Sequence, residues 1–324
     1  MEINDRNIKL FSTIGPRAAF GLGITDIAKN EKNLMVVTCD VSTSAGLDRF
    51  RKTFPDQYID LGIAEQNMIG VAAGLSSEEF KVVTTTFAPF QTMRCCEQIK
   101  VNLGYMKEKI TMVGLASGLV LGNLGYTHCC IEDIGVLRSI PNLNIISPSD
   151  SLETIKAVEA SLESKSSCYI RLTGGSNNPI LNKSDYDFKI GKSITLREGK
   201  DIIFFSSGSI LNETLLAAKL LQDNGISAKV VNMHTIKPLD EKIIENSIKN
   251  FKLIVSVEEH NIIGGLGSAI SEVLSKFKNS PAQLTLGVND TYSKSGSYEF
   301  LKDYHGLTHK KILKSVLKKL NDFT

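Results

Sequence analysis

The feature that most constrains this chain is a rhythm. Short apolar, β-branched runs (LMVVTCD, QYIDLG, KVVTTTF, KITMVGL, NIISPSD and CYIRLTG) alternate with longer segments of helical pattern through its first half. Strands spaced by helix-length segments argue for βαβ units and a mainly parallel sheet. Between the second and third runs, EQNMIGVAAGLS places Met68, Val71, Ala72 and Leu75 at helical spacing. SDSLETIKAVEASLES opens with Ser and Asp, carries Glu153 soon after, and repeats apolar positions as a capped amphipathic helix does. The stretch TGGSNNPILNKSDYD, rich in turn-forming residues, closes this unit. The rhythm then restarts with DIIFFSSGS, LNETLLAAKLLQDNG, AKVVNMHT, EKIIENSIKN and LIVSVEEH. The expectation is an α/β chain of two domains, residues 1–185 and a smaller α/β domain over 186–324. A length of 324 residues agrees with that count at about 150 residues per domain. No repeat of solenoid period occurs.

Composition excludes several functions. The 37 Lys and Arg nearly balance the 35 Asp and Glu, so there is no electrostatic ground for nucleic acid or an anionic membrane as partner. With 42% hydrophobic and 22% charged residues the chain is neither disordered nor of low complexity. The six cysteines include two adjacent pairs and no CxxC, which speaks for reduced thiols and against a zinc knuckle. The start, MEINDRNIKLF, lacks the basic and apolar runs of a signal peptide, and MVGLASGLVLGNLGY is too short and too broken to span a bilayer. These features lead to the expectation of a soluble cytoplasmic protein.

The segment with most chemical content is YIDLGIAEQNMIGVAAGL. A strand ending in Asp-Leu-Gly hands over to a helix whose first turn carries Glu65, flanked by Gly and Ala. A carboxyl group in small, apolar surroundings can share a proton with a ligand nitrogen. On periodicity alone the plainer reading is a Glu that complements the helix dipole. GGLG, Gly264 to Gly267, lacks the spacing of a dinucleotide loop and reads as a close-packed turn into a helix.

The runs DLGIAEQNMIGVAAGL, TTTFAPF and GYTHCCIEDIGVLRSIPNLNIISPSD together resemble the pyrimidine-binding half of transketolases. EEHNIIGGLG and GVNDTYSKSGSYEFLKDYHGLT resemble the transketolase C-terminal domain. The likeness covers almost the whole chain in the right order and is nearest to the split transketolases, in which two chains divide the enzyme. It implies thiamine diphosphate as cofactor. The Gly-Asp-Gly that marks the domain holding the diphosphate through Mg²⁺ does not occur here, so Mg²⁺ is expected on an N-terminal, diphosphate-binding partner subunit and no metal ligand on this chain.

Residue by residue, the resemblance implies that Glu65 hydrogen-bonds the ring nitrogen of the aminopyrimidine. Phe87 and Phe90 match the aromatic wall of the cofactor site, although two Phe three apart would by themselves signify core packing. Asp40 matches a carboxylate at the cofactor interface. Arg17 and Ser44 match positions that bind substrate phosphate, and His128 matches a histidine that contacts the reacting sugar.

The chain also departs from the pattern. Leu115 and Ala116 stand where a Ser-His pair is usual, Leu124 replaces an Asp, Cys129 replaces a Gln, and Gly174 replaces a second Arg, leaving Arg171 as its strand's only guanidinium. A site that loses hydrogen-bonding groups together changes selectivity. The implied activity is transfer of a two-carbon ketol unit between sugars, with a less phosphorylated, differently phosphorylated or more apolar substrate facing Leu115, Ala116 and Leu124. The implied assembly is a dimer of heterodimers, or a homodimer of this chain alone. Half of a deoxyxylulose-phosphate synthase or a dehydrogenase β subunit fits the motifs less well. A catalytically silent regulatory subunit has no need of Glu65, Phe87 and Phe90.

Overall fold

The computed structural model describes residues 4–183 and 186–322. The expected domain boundary at residue 185 lies outside the described residues. Twelve strands occur among them: β1 Leu34–Thr38, β2 Tyr58–Asp60, β3 Lys81–Phe87, β4 Ile110–Leu115, β5 Leu143–Ile146, β6 Ser167–Arg171, β7 Ile194–Arg197, β8 Ile202–Ser206, β9 Ala228–Asn232, β10 Thr235–Lys237, β11 Leu253–Asn261 and β12 Ala282–Val288. They form a seven-stranded sheet, ordered β10-β5-β6-β4-β3-β1-β2, and a five-stranded sheet, ordered β12-β11-β8-β9-β7. Neighbouring strands run parallel except at two edges, where β10 is antiparallel to β5 and β7 to β9. The chain is thus mixed α/β with mainly parallel sheets, as expected.

The central strands are apolar because helices cover both of their faces: β1, β4, β6 and β8 are buried along their whole length. The helix Glu65–Ser77 buries Met68, Ile69, Ala72 and Ala73. The helix Ser151–Leu162 starts at Asp150, whose side chain accepts the N–H groups of Leu152 (3.0 Å) and Glu153 (2.9 Å). Such a cap stabilises a helix by about 1 kcal/mol.

A long N-terminal helix, Asp5–Ile27, is not among the elements expected from the sequence. It is interrupted at Gly15, with φ 76°, immediately before Pro16. A β-carbon at Gly15 would lie 2.8 Å from the Gly175 carbonyl oxygen, so glycine is required both for the turn and for the close approach.

The two sheets are not separate bodies. Val37, Ile110 and Tyr169 from the first share one apolar cluster with Phe205, Val231 and Ile254 from the second. β10 comes from the C-terminal part of the chain yet forms the edge of the first sheet. No helix among the described residues is long and apolar enough to cross a membrane. All six cysteines are free.

Candidate active site

In parallel α/β sheets, ligands collect at the carboxyl ends of the strands. Here β1, β2, β3 and β4 end on one edge, and shaped turns follow β1, β2 and β4. Asp40 (φ 55°) follows β1 and Ala116 (φ 51°) follows β4, both in the left-handed region. For an alanine that conformation costs roughly 1–2 kcal/mol, and such strain gathers at functional sites. Asp60, the last residue of β2, accepts the backbone N–H groups of Asp40 (2.9 Å) and Gly62 (3.0 Å) through Oδ1, and Gly62 has φ 65°. This turn delivers Glu65 as the first residue of its helix, which explains the Asp-Leu-Gly of the sequence.

Glu65 is only 4% exposed, and its Oε2 accepts a hydrogen bond from Arg94 Nη1 at 2.7 Å. The same guanidinium lies 4.0 Å over the ring of Phe90. Phe90 is carried by the short helix Ala88–Gln91 that follows Phe87. The rings of Phe87 and Phe90 meet edge-on at 6.4 Å, and the His128 imidazole approaches Phe90 at 5.5 Å and Phe87 at 6.3 Å. His128 Nδ1 is 3.0 Å from Thr127 Oγ1. Close to the carboxylate, burial pushes the Cys39 thiol up to about 11 and the Cys95 thiol to about 12, and the charge of Glu65 acts in the same direction. Neutral sulfur therefore backs the carboxylate.

Glu65, Phe87, Phe90 and His128 are thus brought into one group, with Arg94 as its charged member. The surroundings of Glu65 are not simply small and apolar, as the sequence suggests. Arg94 pairs with a carboxylate 29 positions away, and no local periodicity announces such a partner.

The other expected residues are set apart. Asp40 is exposed at the same sheet edge. Arg17 is half-buried, its guanidinium pKa is depressed by burial, and it has no ion-pair partner among the described residues. Ser44 belongs to the turn whose Gly46 packs against Arg17: a β-carbon there would be 3.1 Å from the Arg17 carbonyl oxygen. Among the described residues no hydrogen bond or ion pair ties Arg17 or Ser44 to the ring cluster.

The departures from the family pattern resolve differently. Leu115 and Ala116 are buried, so neither offers a surface to a substrate; Leu124, 56% exposed, does. Cys129 is buried and its thiol is pushed up to about 12, chiefly by burial. Gly174 has φ 80°, and a β-carbon there would lie 2.6 Å from Ser209 Cβ. Arg171 is fully buried, donating to Asp133 Oδ2 (3.0 Å) and to the Glu259 carbonyl (3.1 Å). Asp133 also accepts hydrogen bonds from Ser117 and Tyr169; burial alone would raise its pKa, but Arg171 holds the carboxyl below its ordinary range. Arg171 is consequently a structural cation and not a spare guanidinium for substrate.

Comparison with known proteins gives this geometry a family. Residues 12–178 match the model of the transketolase pyrimidine-binding domain and residues 191–312 that of the transketolase C-terminal domain. One chain of an apulose-4-phosphate transketolase from Actinobacillus succinogenes is 37% identical over 86% of this chain and 90% of its own length. A 6-deoxy-6-sulfo-D-fructose transketolase subunit from a Clostridium species is 34% identical, covering 90% of both chains. A solved structure described as a split gene transketolase in an inactive beta4 tetramer superposes with a TM-score of 0.85 at 33% identity, over 95% of this chain and 99% of that one. The chain belongs to the transketolase family and carries its pyrimidine-binding and C-terminal domains.

Proposed function

We propose that this chain is one subunit of a thiamine-diphosphate-dependent, cytoplasmic enzyme that transfers a two-carbon ketol unit between sugars. A second chain would hold the diphosphate and its Mg²⁺, in a dimer of heterodimers. The observation that carries this reading is the buried Glu65 carboxylate beside the Phe87 and Phe90 rings. Among the described residues Arg94 is the only hydrogen-bond partner of that carboxylate, which leaves Oε1 to share a proton with a ring nitrogen. A carboxylate next to aromatic rings is a donor set that fits an aminopyrimidine.

When bound, the cofactor supplies the electron sink for breaking a carbon–carbon bond. The chain's own residues do the remainder. Glu65 holds a proton at the pyrimidine ring nitrogen, and Phe87 and Phe90 orient the ring. His128, with Nδ1 near Thr127, turns Nε2 to the hydroxyl or carbonyl of the reacting sugar. Asp40 stands at the cofactor interface, and Arg17 and Ser44 bind an anionic group on the sugar. With Gly174 devoid of a side chain, Arg171 buried and Ala116 unable to donate, Arg17 is the one expected guanidinium left for that task. Selectivity should therefore differ from that of a doubly gripped phosphate site, in a dedicated sugar pathway. Two relatives named for uncommon sugars support that view.

The test is to mix the chain with a Gly-Asp-Gly-bearing partner and measure ketol transfer and thiamine diphosphate binding. Glu65→Gln should lower transfer at least about 10²-fold while leaving assembly intact. A chain active alone would overturn the split-enzyme reading; cofactor binding without any transfer would favour a silent subunit.

A further inference from the structure

We propose that the C-terminal domain clamps the segment 116–130, and that Glu259, Tyr126 and His305 are positioning residues for His128. The inference rests on the assignment of His128 to the active site.

The segment between β4 and the helix Asp133–Leu137 has little regular structure of its own. It contains one bridge, Gly118 to Cys130, and one short turn of helix, Gly122–Leu124. A connection of this kind is held in one shape only by what packs on it. From its own domain, the His128 side chain has a hydroxyl neighbour and two ring contacts.

The C-terminal domain supplies three anchors. The first is Glu259 of β11, fully buried: Oε1 accepts the Leu119 N–H at 2.7 Å and Oε2 accepts the Tyr298 hydroxyl at 2.6 Å. A buried carboxylate is costly unless its oxygens are engaged, and here both are. A β-carbon at Gly118, φ 74°, would lie 2.2 Å from Glu259 Oε1, so glycine is what lets the carboxylate reach the loop. The second anchor is nearest the imidazole. Tyr126, two residues before His128, has its hydroxyl 2.9 Å from His305 Nε2 and 3.0 Å from Ser293 Oγ, with its ring 4.8 Å from that of Tyr292. The third is backbone: Gly296 N–H donates to the Gly122 carbonyl at 3.1 Å, and a β-carbon on Gly122 would meet Leu301 at 2.2 Å.

The downstream end is tied as well. The Tyr292 hydroxyl donates to Glu132 at 2.7 Å, and Asn261 N–H to the Ile131 carbonyl at 2.8 Å. The loop is therefore pinned before, at and after His128 by a domain that contributes no residue to the ring cluster.

Hydrogen exchange of the 118–130 amides, in the isolated chain and in the assembled enzyme, tests the clamp. Tyr126→Phe keeps the ring but removes the hydroxyl, and His305→Ala removes its partner. Each should speed exchange in this segment about fivefold, the worth of one net hydrogen bond, without a matching rise elsewhere. His305→Gln, which can still reach the hydroxyl, should restore near-native exchange. In the assembled enzyme Tyr126→Phe should lower kcat while the affinity for thiamine diphosphate is unchanged. Exchange over 118–130 that stays native in both Tyr126→Phe and His305→Ala, or rises only as much as in the rest of the chain, overturns the clamp. Absence of ketol transfer by the wild-type assembly would count against the functional reading alone, since exchange decides the clamp independently.

Discussion

Arg94 makes two contacts at once: Nη1 sits 2.7 Å from Glu65 Oε2 while Cζ sits 4.0 Å above the Phe90 ring. The carboxylate is 5% exposed and the guanidinium 40% exposed, so the pair straddles the protein surface. Removing the cation leaves a buried charge, which is costly, but the exposure of Arg94 reduces that cost through solvent screening. Arg94→Met, which keeps an apolar stem over Phe90, should destabilise the chain by about 1–2 kcal/mol in urea unfolding. Combined with Glu65→Gln it should cost less than the sum, with a coupling of about 1 kcal/mol. Strict additivity would mean that the contact carries no energy.

The parts of this fold that sequence reasoning reached share a physical cause. β1, β3, β4 and β6 are covered on both faces and so read as short runs rich in apolar and β-branched residues, and the helix Ser151–Leu162 announces itself by Asp150. β7, β10 and β12 are edge strands, short or only half-buried, and nothing in their composition forces a strand. The N-terminal helix is hidden by Gly15 and Pro16 in its middle. In the site, Glu65, Phe87, Phe90 and His128 are legible through long motifs. Arg94 and the burial of Leu115, Ala116 and Arg171 are not, because they depend on which segments meet in space.

The pH dependence of stability should contain two opposed contributions. Glu258 is fully buried, and burial raises its carboxyl from 4.5 to about 7 although it accepts the N–H groups of Leu266 (2.6 Å) and Gly267 (2.8 Å). Between those values the unfolded chain has released a proton that the folded chain keeps, so stability falls as pH rises and the loss is complete above about 7. His234 and His260 act in the opposite sense. Burial lowers both from 6.5 to about 4, so across that window the unfolded chain binds protons that the folded one does not, and stability rises with pH. Glu258→Gln removes only the Glu258 share of the falling limb, to which Asp150, raised by burial to about 7, also contributes. Relative to wild type it should gain up to about 3 kcal/mol between pH 4.5 and pH 8, read by urea unfolding at each pH. A difference that does not vary with pH would refute the assignment.

Thiol chemistry offers a simple check of the packing around Glu65. Cys39, Cys95, Cys129, Cys130 and Cys168 are buried, and burial pushes every one of these thiols up. A buried neutral thiol is inert, since the thiolate is the nucleophile. Cys96 alone among the six is only half-buried. Near neutral pH a maleimide should modify Cys96 first, Cys96→Ser should abolish that phase, and the others should react only on unfolding. Rapid labelling of Cys39 or Cys95 in the folded chain would show that the floor of the site is open.

Gly174 stands where the family pattern has an arginine, and the simplest evolutionary picture is a lost side chain that could be put back. The backbone contradicts that picture. Gly174 has φ 80°, and its β-carbon would lie 2.6 Å from Ser209 Cβ, a backbone-proximal atom that cannot swing away. Left-handed strain costs roughly 1–2 kcal/mol and overpacking about 1–3 kcal/mol more. Gly174→Ala should therefore destabilise by about 2–4 kcal/mol in urea unfolding. Adding Ser209→Gly should recover part of the loss, because it relieves the clash while leaving the strain. Gly174→Arg should behave no better than Gly174→Ala and should not bring turnover of doubly gripped phosphate substrates in the assembled enzyme. A stable Gly174→Arg variant with such turnover would show instead that this strand end adapts freely, and that selectivity here rests on a single side chain.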